Sequence, residues 1–502
     1  MSKVLPKHAL LTAIVAATVF VSGAGADEIN LPDLGSPADA ILSTNKESQI
    51  GRSIMRDIRK SGQVVEDPLV TEYINEIGNR VAAQTNDGDH DFTFFVIDDH
   101  RINAFALPGG YIGVHSGLLD ATRNEDELAG VLSHEVAHVT QRHIARAIHA
   151  NSRQSLLSTA IMLGAVLASV AGAGPNVLQA GMAVAQGTAA QQQINFTRAN
   201  EYEADRIGIS ALADAGFDPY GMASFFEVLS RQTTRAPDER TPEFLLTHPV
   251  STARIAEARN RARNYPLIRS DDSISYGIAK TRLTVARMDT AKEAVAYFEK
   301  RSFENQNDIE RYGRSHAYFR AGQYSKALDI VAELVEKDPT VIAYHIALGE
   351  TLVALKRQRD ATQVFEHALD LFPRNVPLVI SYGERLLEIG QPVKAHTLLL
   401  DLLNNVAPTP EQVRLIARAA SEAGEDAESL YYLSEYRLMI GDLVGGIGFL
   451  QQALRLADLQ EIQRIRFEAR IDFIREFMNE EQLRGMPRGG PTGTSARNTQ
   501  YR

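Results

Sequence analysis

The stretch VLSHEVAHVTQRH, Val131 to His143, carries His134 and His138 four positions apart, with Glu135 directly after the first. On a helix, residues four apart differ by about 40° of rotation, so both imidazoles project from one face and can hold one divalent cation. Glu135 lies beside that face, where its carboxylate can take a proton from a zinc-activated water. Zinc lowers the pKa of such a water toward about 7, which makes a nucleophile for peptide bonds at neutral pH. The plain alternative is an amphipathic helix whose histidines face solvent.

A third ligand strengthens the metal reading. In TRANEYEADRIGI, Glu201 and Asp205 are again four apart and share a helical face. Glu201 completes a His₂Glu set for one Zn²⁺ per chain and leaves the fourth position open. Asp205 can then accept the ring N–H of a ligand histidine and fix its tautomer. Glu203 is the competing ligand, but its spacing of two from Asp205 puts those carboxylates on different faces. His143 and His149 read as ordinary helix residues.

These groups need elements to hold them. EDELAGVLSHEVAHVTQRHIARAIH reads as one long helix starting near Asn124 or Asp126, with Leu128, Val131, Leu132, Val136 and Val139 at helical steps. VTEYINEIGNRVAAQ puts Val70, Ile74, Ile77 and Val81 on one face, and DFTFFVID alternates as a strand does. NAFALPGGYIGV predicts strand, turn and strand, with an exposed edge beside the zinc helix. An extended substrate adds to such an edge through main-chain bonds, with Asn103, Ala104, Phe105, Gly109 and Gly110 as the binding strand. The alternative there is an interior hairpin. In THPVSTARI, Pro249 biases His248 to an extended conformation. His248 can face the metal, either stabilising the oxyanion of a tetrahedral intermediate or occupying the open zinc position. Arg254 can pair with a site carboxylate or a substrate carbonyl, and both residues are therefore counted with Glu135 as catalytic candidates.

A chain of 502 residues suggests two or three domains. A net charge of −11 without a basic block disfavours nucleic acid as a partner. Residues 1–26 read as a cleaved signal peptide: Lys3 and Lys7 precede an apolar core, and Ala24 and Ala26 suit cleavage. With no cysteine, disulfides and lipid attachment at cysteine are excluded. The expected location is a bacterial periplasm, soluble or peripherally on a membrane. Residues Gln154 to Thr197 carry no charge. Within them, 155–190 can form a hairpin on the catalytic body, mobile over its cleft, or touch membrane.

Downstream the texture becomes repetitive. Ala327, Ala361 and Ala395 are 34 apart, as are Pro339 and Pro373, and Gly349 and Gly383. That period, with small residues at helix crossings and proline after the second helix, is the tetratricopeptide signature. The tail RGMPRGGPTGTSARNTQYR is polar and Gly/Pro-rich, with the composition of a disordered segment.

HEVAH followed by NEYEAD resembles the gluzincin metalloproteases. NAFALPGGYIGVHSGLL and THPVSTARIAEA narrow the resemblance to the family that includes the CAAX prenyl protease and the bacterial heat-shock membrane protease. The signal segment and repeat tail point to its periplasmic branch, which acts in outer-membrane β-barrel assembly. The resemblance implies His134, His138 and Glu201 as zinc ligands and Glu135 as general base. It also implies unfolded or misassembled outer-membrane proteins as substrates, and the β-barrel assembly machinery as a partner of the repeats. The expected fold is an α+β zincin-like protease domain, mostly helical with a small sheet, followed by an all-α tetratricopeptide solenoid. The expected divisions are a signal at 1–26, protease at 27–265, helical linker at 266–307, repeats at 308–480 and a disordered tail at 481–502. The competing function is a non-proteolytic chaperone or adaptor with a silent zinc site.

Overall fold

The computed structural model describes residues 42–85, 91–150, 188–235, 242–268, 271–304, 307–476 and 478. The expected signal, the tail and most of 155–190 lie outside these residues. Helix α1 (Thr44–Lys60) leads to α2 (Pro68–Ala82). The Asp67 carboxylate caps α2 by accepting from the Leu69 and Val70 amides, and Pro68 occupies the first turn, where no amide proton is needed. Val70, Ile74, Ile77 and Val81 are all buried, as their spacing predicts.

Strands β1 (Thr93–Ile97), β2 (Ala104–Leu107) and β3 (Tyr111–His115) form one sheet in the order β1-β3-β2. β1 pairs with β3 in parallel, and β2 pairs with β3 as an antiparallel hairpin. The hairpin turn needs its glycines: Gly109 and Gly110 have φ of 80° and 86°, a left-handed region that side chains disfavour. β2 is thereby left at one side of the sheet, next to α4 (Glu125–Thr140), which follows the short α3 (Ser116–Ala121). Asn124 caps α4 by accepting from the Glu127 amide.

The expected long helix is two helices. It breaks at Gln141 and Arg142 before α5 (His143–Ala150), with Arg142 at φ 51°. A distant contact holds this uncommon conformation. Arg142 Nη2 donates to the Leu42 carbonyl at 2.6 Å and pairs with the Glu47 carboxylate at 3.2 Å.

α4 packs against α6 (Thr188–Asp214) and α7 (Gly221–Arg235). Gly130 permits the second contact, since a Cβ there would lie 2.6 Å from the Met222 amide nitrogen. Leu128, Val131, Leu132 and Val136 enter the same core as Phe225 and Phe226. Each such side chain contributes about 1.5–3 kcal/mol by leaving water, so the helix that carries the histidines is anchored along its length. The short α8 (Glu243–Thr247) and α9 (Thr252–Ala262) close the body.

Twelve further helices follow among the described residues and pack on their neighbours in a stack. They are α10 (Ile274–Arg287), α11 (Ala291–Glu304), α12 (Asp308–Arg320), α13 (Tyr324–Lys337), α14 (Ile342–Ala354) and α15 (Gln358–Leu371), then α16 (Val376–Glu388), α17 (Pro392–Leu403), α18 (Pro410–Glu422), α19 (Asp426–Met439), α20 (Leu443–Ala453) and α21 (Glu461–Arg475). The periodic small residues mark the crossings. Ala327, Ala361 and Ala395 are buried, Gly349 faces the Phe365 ring and Gly383 faces Leu399. α10 and α11 join the stack by packing on α12, so the helical array extends upstream of Asp308.

The array also grips the body that carries the two histidines. Leu69 packs on two array clusters, Arg282 Nε donates to Asp67 at 2.6 Å, and Asn375 Nδ2 donates to Glu72 at 2.9 Å. Burial, reinforced by the Glu76 charge, pushes the Glu72 carboxyl up to about 7. Its folded pKa thus exceeds its unfolded value. The protonated form favours folding below the unfolded pKa, and stability falls as pH rises from there to about 7. Glu72→Gln keeps an acceptor for Asn375 and is expected to raise the melting temperature at pH 8 but not at pH 4. Calorimetry at the two pH values checks this, and an equal shift at both would refute it.

Candidate active site

α4 presents His134 and His138 on the face that meets α6, and α6 returns Glu201 and Asp205 to the same point. His134 Nε2 and His138 Nε2 are 3.1 Å apart. The Glu201 carboxylate lies 3.4 Å from each of these nitrogens. His248, at the C-terminal end of α8, completes the group, with Nδ1 3.0 Å from Glu201 and 3.3 Å from His134 Nε2. One donor atom from each of these four residues lies within 4.8 Å of the others.

The converging donor atoms favour a cation at this point. His134 Nδ1 is 3.0 Å from Asp205, the nearest acceptor for a proton on that nitrogen. His134 Nε2 faces His138 Nε2 and the Glu201 carboxylate, so one positive charge is called for at this point, either a proton on the ring or a cation that replaces it. Two nitrogens and a carboxylate are also the donor set that suits zinc.

Burial and charge oppose each other throughout the cluster. Burial raises the Glu201 carboxyl, but the His248 charge and the histidine hydrogen bonds overcome it and hold Glu201 well below the usual range. Burial pushes the His138 ring down to about 3 despite the pull of Glu201, so that ring is neutral at pH 7. In His134 burial is outweighed by Asp205 and Glu201, which carry the ring up to about 9. A metal must displace that proton, which couples binding to pH. Glu135 is fully buried, and burial pushes its carboxyl up against the pull of His248 and His134. A base with a raised pKa is suited to proton transfer near neutrality.

Arg254 meets the site carboxylates. Its Nε and Nη2 donate to the two Asp205 oxygens at 2.8 and 2.7 Å, and Nη1 donates to Glu201 at 2.8 Å. It is buried over the Phe226 ring, and its donors are directed to Asp205, Glu201 and the Pro249 carbonyl. Glu203 points elsewhere, to His143 at 3.2 Å and Arg146 at 2.8 Å.

The hydrogen-bond phase of β2 decides which groups a peptide could reach. The His115 amide donates to the Asn103 carbonyl at 3.0 Å. Asn103, Phe105 and Leu107 therefore turn their main chain to β3, whereas Ile102, Ala104 and Ala106 turn theirs outward. Of these, the Ile102 carbonyl already accepts from the Phe244 amide at 3.1 Å. Ala104 is itself fully buried, so the partly exposed point of this edge is Ala106, whose main chain lies by Glu135. Gly109 and Gly110 form the turn against Glu47 and Ser48 rather than this edge. Ala106 was not singled out by sequence, because edge polarity depends on the register with β3.

His143, read from sequence as an ordinary helix residue, contacts a site histidine. Its Nδ1 is 2.9 Å from His138 Nδ1. An uninterrupted helix would carry it away from that ring, so only a signal for the break at Arg142 could have revealed it.

Residues 68–262 match the model of Peptidase family M48. The chain is 36% identical over 478 residues to the putative beta-barrel assembly-enhancing protease of Vibrio cholerae, covering 94% of this chain and 97% of that one. It is 34% identical over 485 residues to the beta-barrel assembly-enhancing protease of Escherichia coli, covering 95% and 98%. A solved thermophilic tetratricopeptide-repeat protein of Thermus thermophilus matches 38% of this chain and 96% of its own. Its identity is 22% and its TM-score 0.24, too low to add to the helical packing described above.

Proposed function

This chain belongs to the beta-barrel assembly-enhancing proteases of peptidase family M48, and from that premise we propose a periplasmic zinc endopeptidase acting on misassembled outer-membrane proteins. The observation that carries the zinc reading is the convergence of His134 Nε2, His138 Nε2 and Glu201, with the His134 tautomer set by Asp205. Such a set with Glu135 intact argues against a silent adaptor.

A zinc ion held there supplies Lewis acidity toward a carbonyl oxygen and acidifies water. An extended peptide adds at the outward main-chain groups of Ala106, beside Glu135, which read backbone and tolerate many side chains. Glu135 takes the proton of the attacking water and passes it to the leaving amine nitrogen. Asp205 keeps the His134 proton on Nδ1. Arg254 holds Asp205 and Glu201 in place, so it acts as a positioning residue. His248 stands at the fourth corner, where its ring also packs on Phe244 with centroids 4.8 Å apart. That placement favours occupation of the open ligand position over oxyanion stabilisation, and it makes the resting enzyme a gated one.

The catalytic unit is taken as residues 27–265. The array, counted from α10, takes the role of recruiting substrate or the outer-membrane assembly machinery through its extended surface. Among the described residues no helix is long and apolar enough to cross a membrane. The membrane contact considered for 155–190 falls mostly outside the described residues.

The ligand assignment is tested by metal analysis of purified variants. His134→Ala, His138→Ala and Glu201→Ala are each expected to lose most of their zinc, and Glu203→Ala to keep it at saturating metal. Loss in Glu203→Ala with retention in Glu201→Ala would reverse the assignment.

A further inference from the structure

We propose that His143 is a positioning residue for the metal centre, accepting the His138 Nδ1 proton on its own Nδ1 and so fixing His138 Nε2 toward His134 and Glu201. The proposal rests on the ligand set above and extends it to a residue outside that set.

The chain reaches this arrangement through the break after α4. Five residues along an uninterrupted helix lie about 140° apart, so His143 would face away from His138. The left-handed Arg142, held by Leu42 and Glu47, swings the start of α5 back beneath the ring. The two imidazoles then meet nearly edge to face, with centroids 4.8 Å apart and planes at 80°. His143 is buried, so water does not compete freely for this bond.

Proton accounting leaves one consistent order. His138 turns Nε2 to the centre, so a neutral His138 carries its proton on Nδ1. That proton lies toward His143 Nδ1 at 2.9 Å, which must therefore be a lone pair. The His143 proton is then on Nε2, 3.2 Å from the Glu203 carboxylate. Arg146 Nη1 donates to the same Glu203 oxygen at 2.8 Å and keeps it ionised. Each donor in the chain from Arg146 and His143 to Glu203, and from His138 to His143, meets an acceptor.

The two ligand histidines are thus supported differently. Behind His134 stands a carboxylate clamped by an arginine, Asp205 with Arg254. Behind His138 the same pair of charges, Glu203 with Arg146, acts through an interposed neutral imidazole. The interposed ring orients His138 while transmitting less negative charge to the metal than a carboxylate in direct contact. Groups that orient a ligand histidine change metal affinity by roughly 10–100-fold.

The test is zinc affinity, measured by chelator competition on the full chain, for His143→Leu and His143→Asn. Leucine fills the space without an acceptor, whereas asparagine offers its amide oxygen near the Nδ1 position. We expect the leucine variant to bind zinc roughly 10–100-fold more weakly and the asparagine variant to stay within about threefold of wild type. Metal-free melting temperatures identify folding defects, and His143→Ala replaces the leucine variant if that one does not fold. Equal affinities in the acceptor-free and asparagine variants would overturn the proposal. His138→Ala is measured alongside: if it keeps zinc, the ligand assignment itself is wrong, a different failure from that of the relay.

Discussion

Glu135→Gln is expected to keep its zinc and its melting temperature while losing peptide hydrolysis by about 10²–10⁴-fold, the usual contribution of a positioned general base. The substitution changes no ligand, because neither Glu135 oxygen is among the converging donors. It retains the volume of a fully buried side chain and removes a carboxyl whose pKa burial already raises. The cost of burying that charge is relieved, so the variant should be at least as stable as wild type at pH 7. What disappears is the site that takes a proton from water and returns it to the leaving nitrogen. The check is hydrolysis of an unstructured peptide at matched zinc content. A near wild-type rate would remove Glu135 from the chemistry.

His248→Ala is expected to act in the opposite direction, raising basal hydrolysis of a short peptide roughly tenfold or more. A site whose competent state is only fractionally populated has its apparent activity reduced by that fraction, and a change that empties the fourth corner restores it. The backbone on both sides of His248 is held in place. Its amide donates to the Phe244 carbonyl at 2.7 Å, and the Pro249 carbonyl accepts from Arg254 at 2.8 Å. α8 itself is tied to the sheet by the Phe244 bond to Ile102 and by Arg101, 2.8 Å from Glu243. The ring therefore reaches the centre from a constrained segment, and substrate must displace it. If His248 instead stabilises an oxyanion, the same variant loses roughly 10²-fold in turnover. One mutant, one peptide and one zinc concentration separate the two by sign, and an unchanged rate would deny His248 either part.

What sequence made legible was whatever a single helix encodes. His134 with His138, and Glu201 with Asp205, are four-residue pairs whose shared face follows from helical geometry, whatever the rest of the fold does. The exclusion of Glu203 followed from the same geometry, and its carboxylate does turn away, to Arg146. Contacts between distant segments were not legible. The break at Arg142 depends on Leu42 and Glu47, and without it His143 cannot be placed under His138. The outward edge at Ala104 and Ala106 depends on the pairing of Asn103 with His115 and on Phe244 reaching Ile102. The parallel pairing of β1 with β3 likewise has no local signal. The array was legible where its period of 34 holds, but α10 and α11 stack without it: Gly313 receives Phe298 in the same way that Gly349 receives Phe365, out of step with the alanine and proline spacing.

The central claim is that hydrolysis depends on a metal held by His134, His138 and Glu201. Wild-type protein is stripped with a chelator, dialysed, and returned one equivalent of zinc per chain, with metal content and peptide cleavage followed together. The account predicts that cleavage disappears with the metal and returns with the first equivalent, and that Glu201→Ala does neither. Undiminished cleavage by the stripped protein would contradict it.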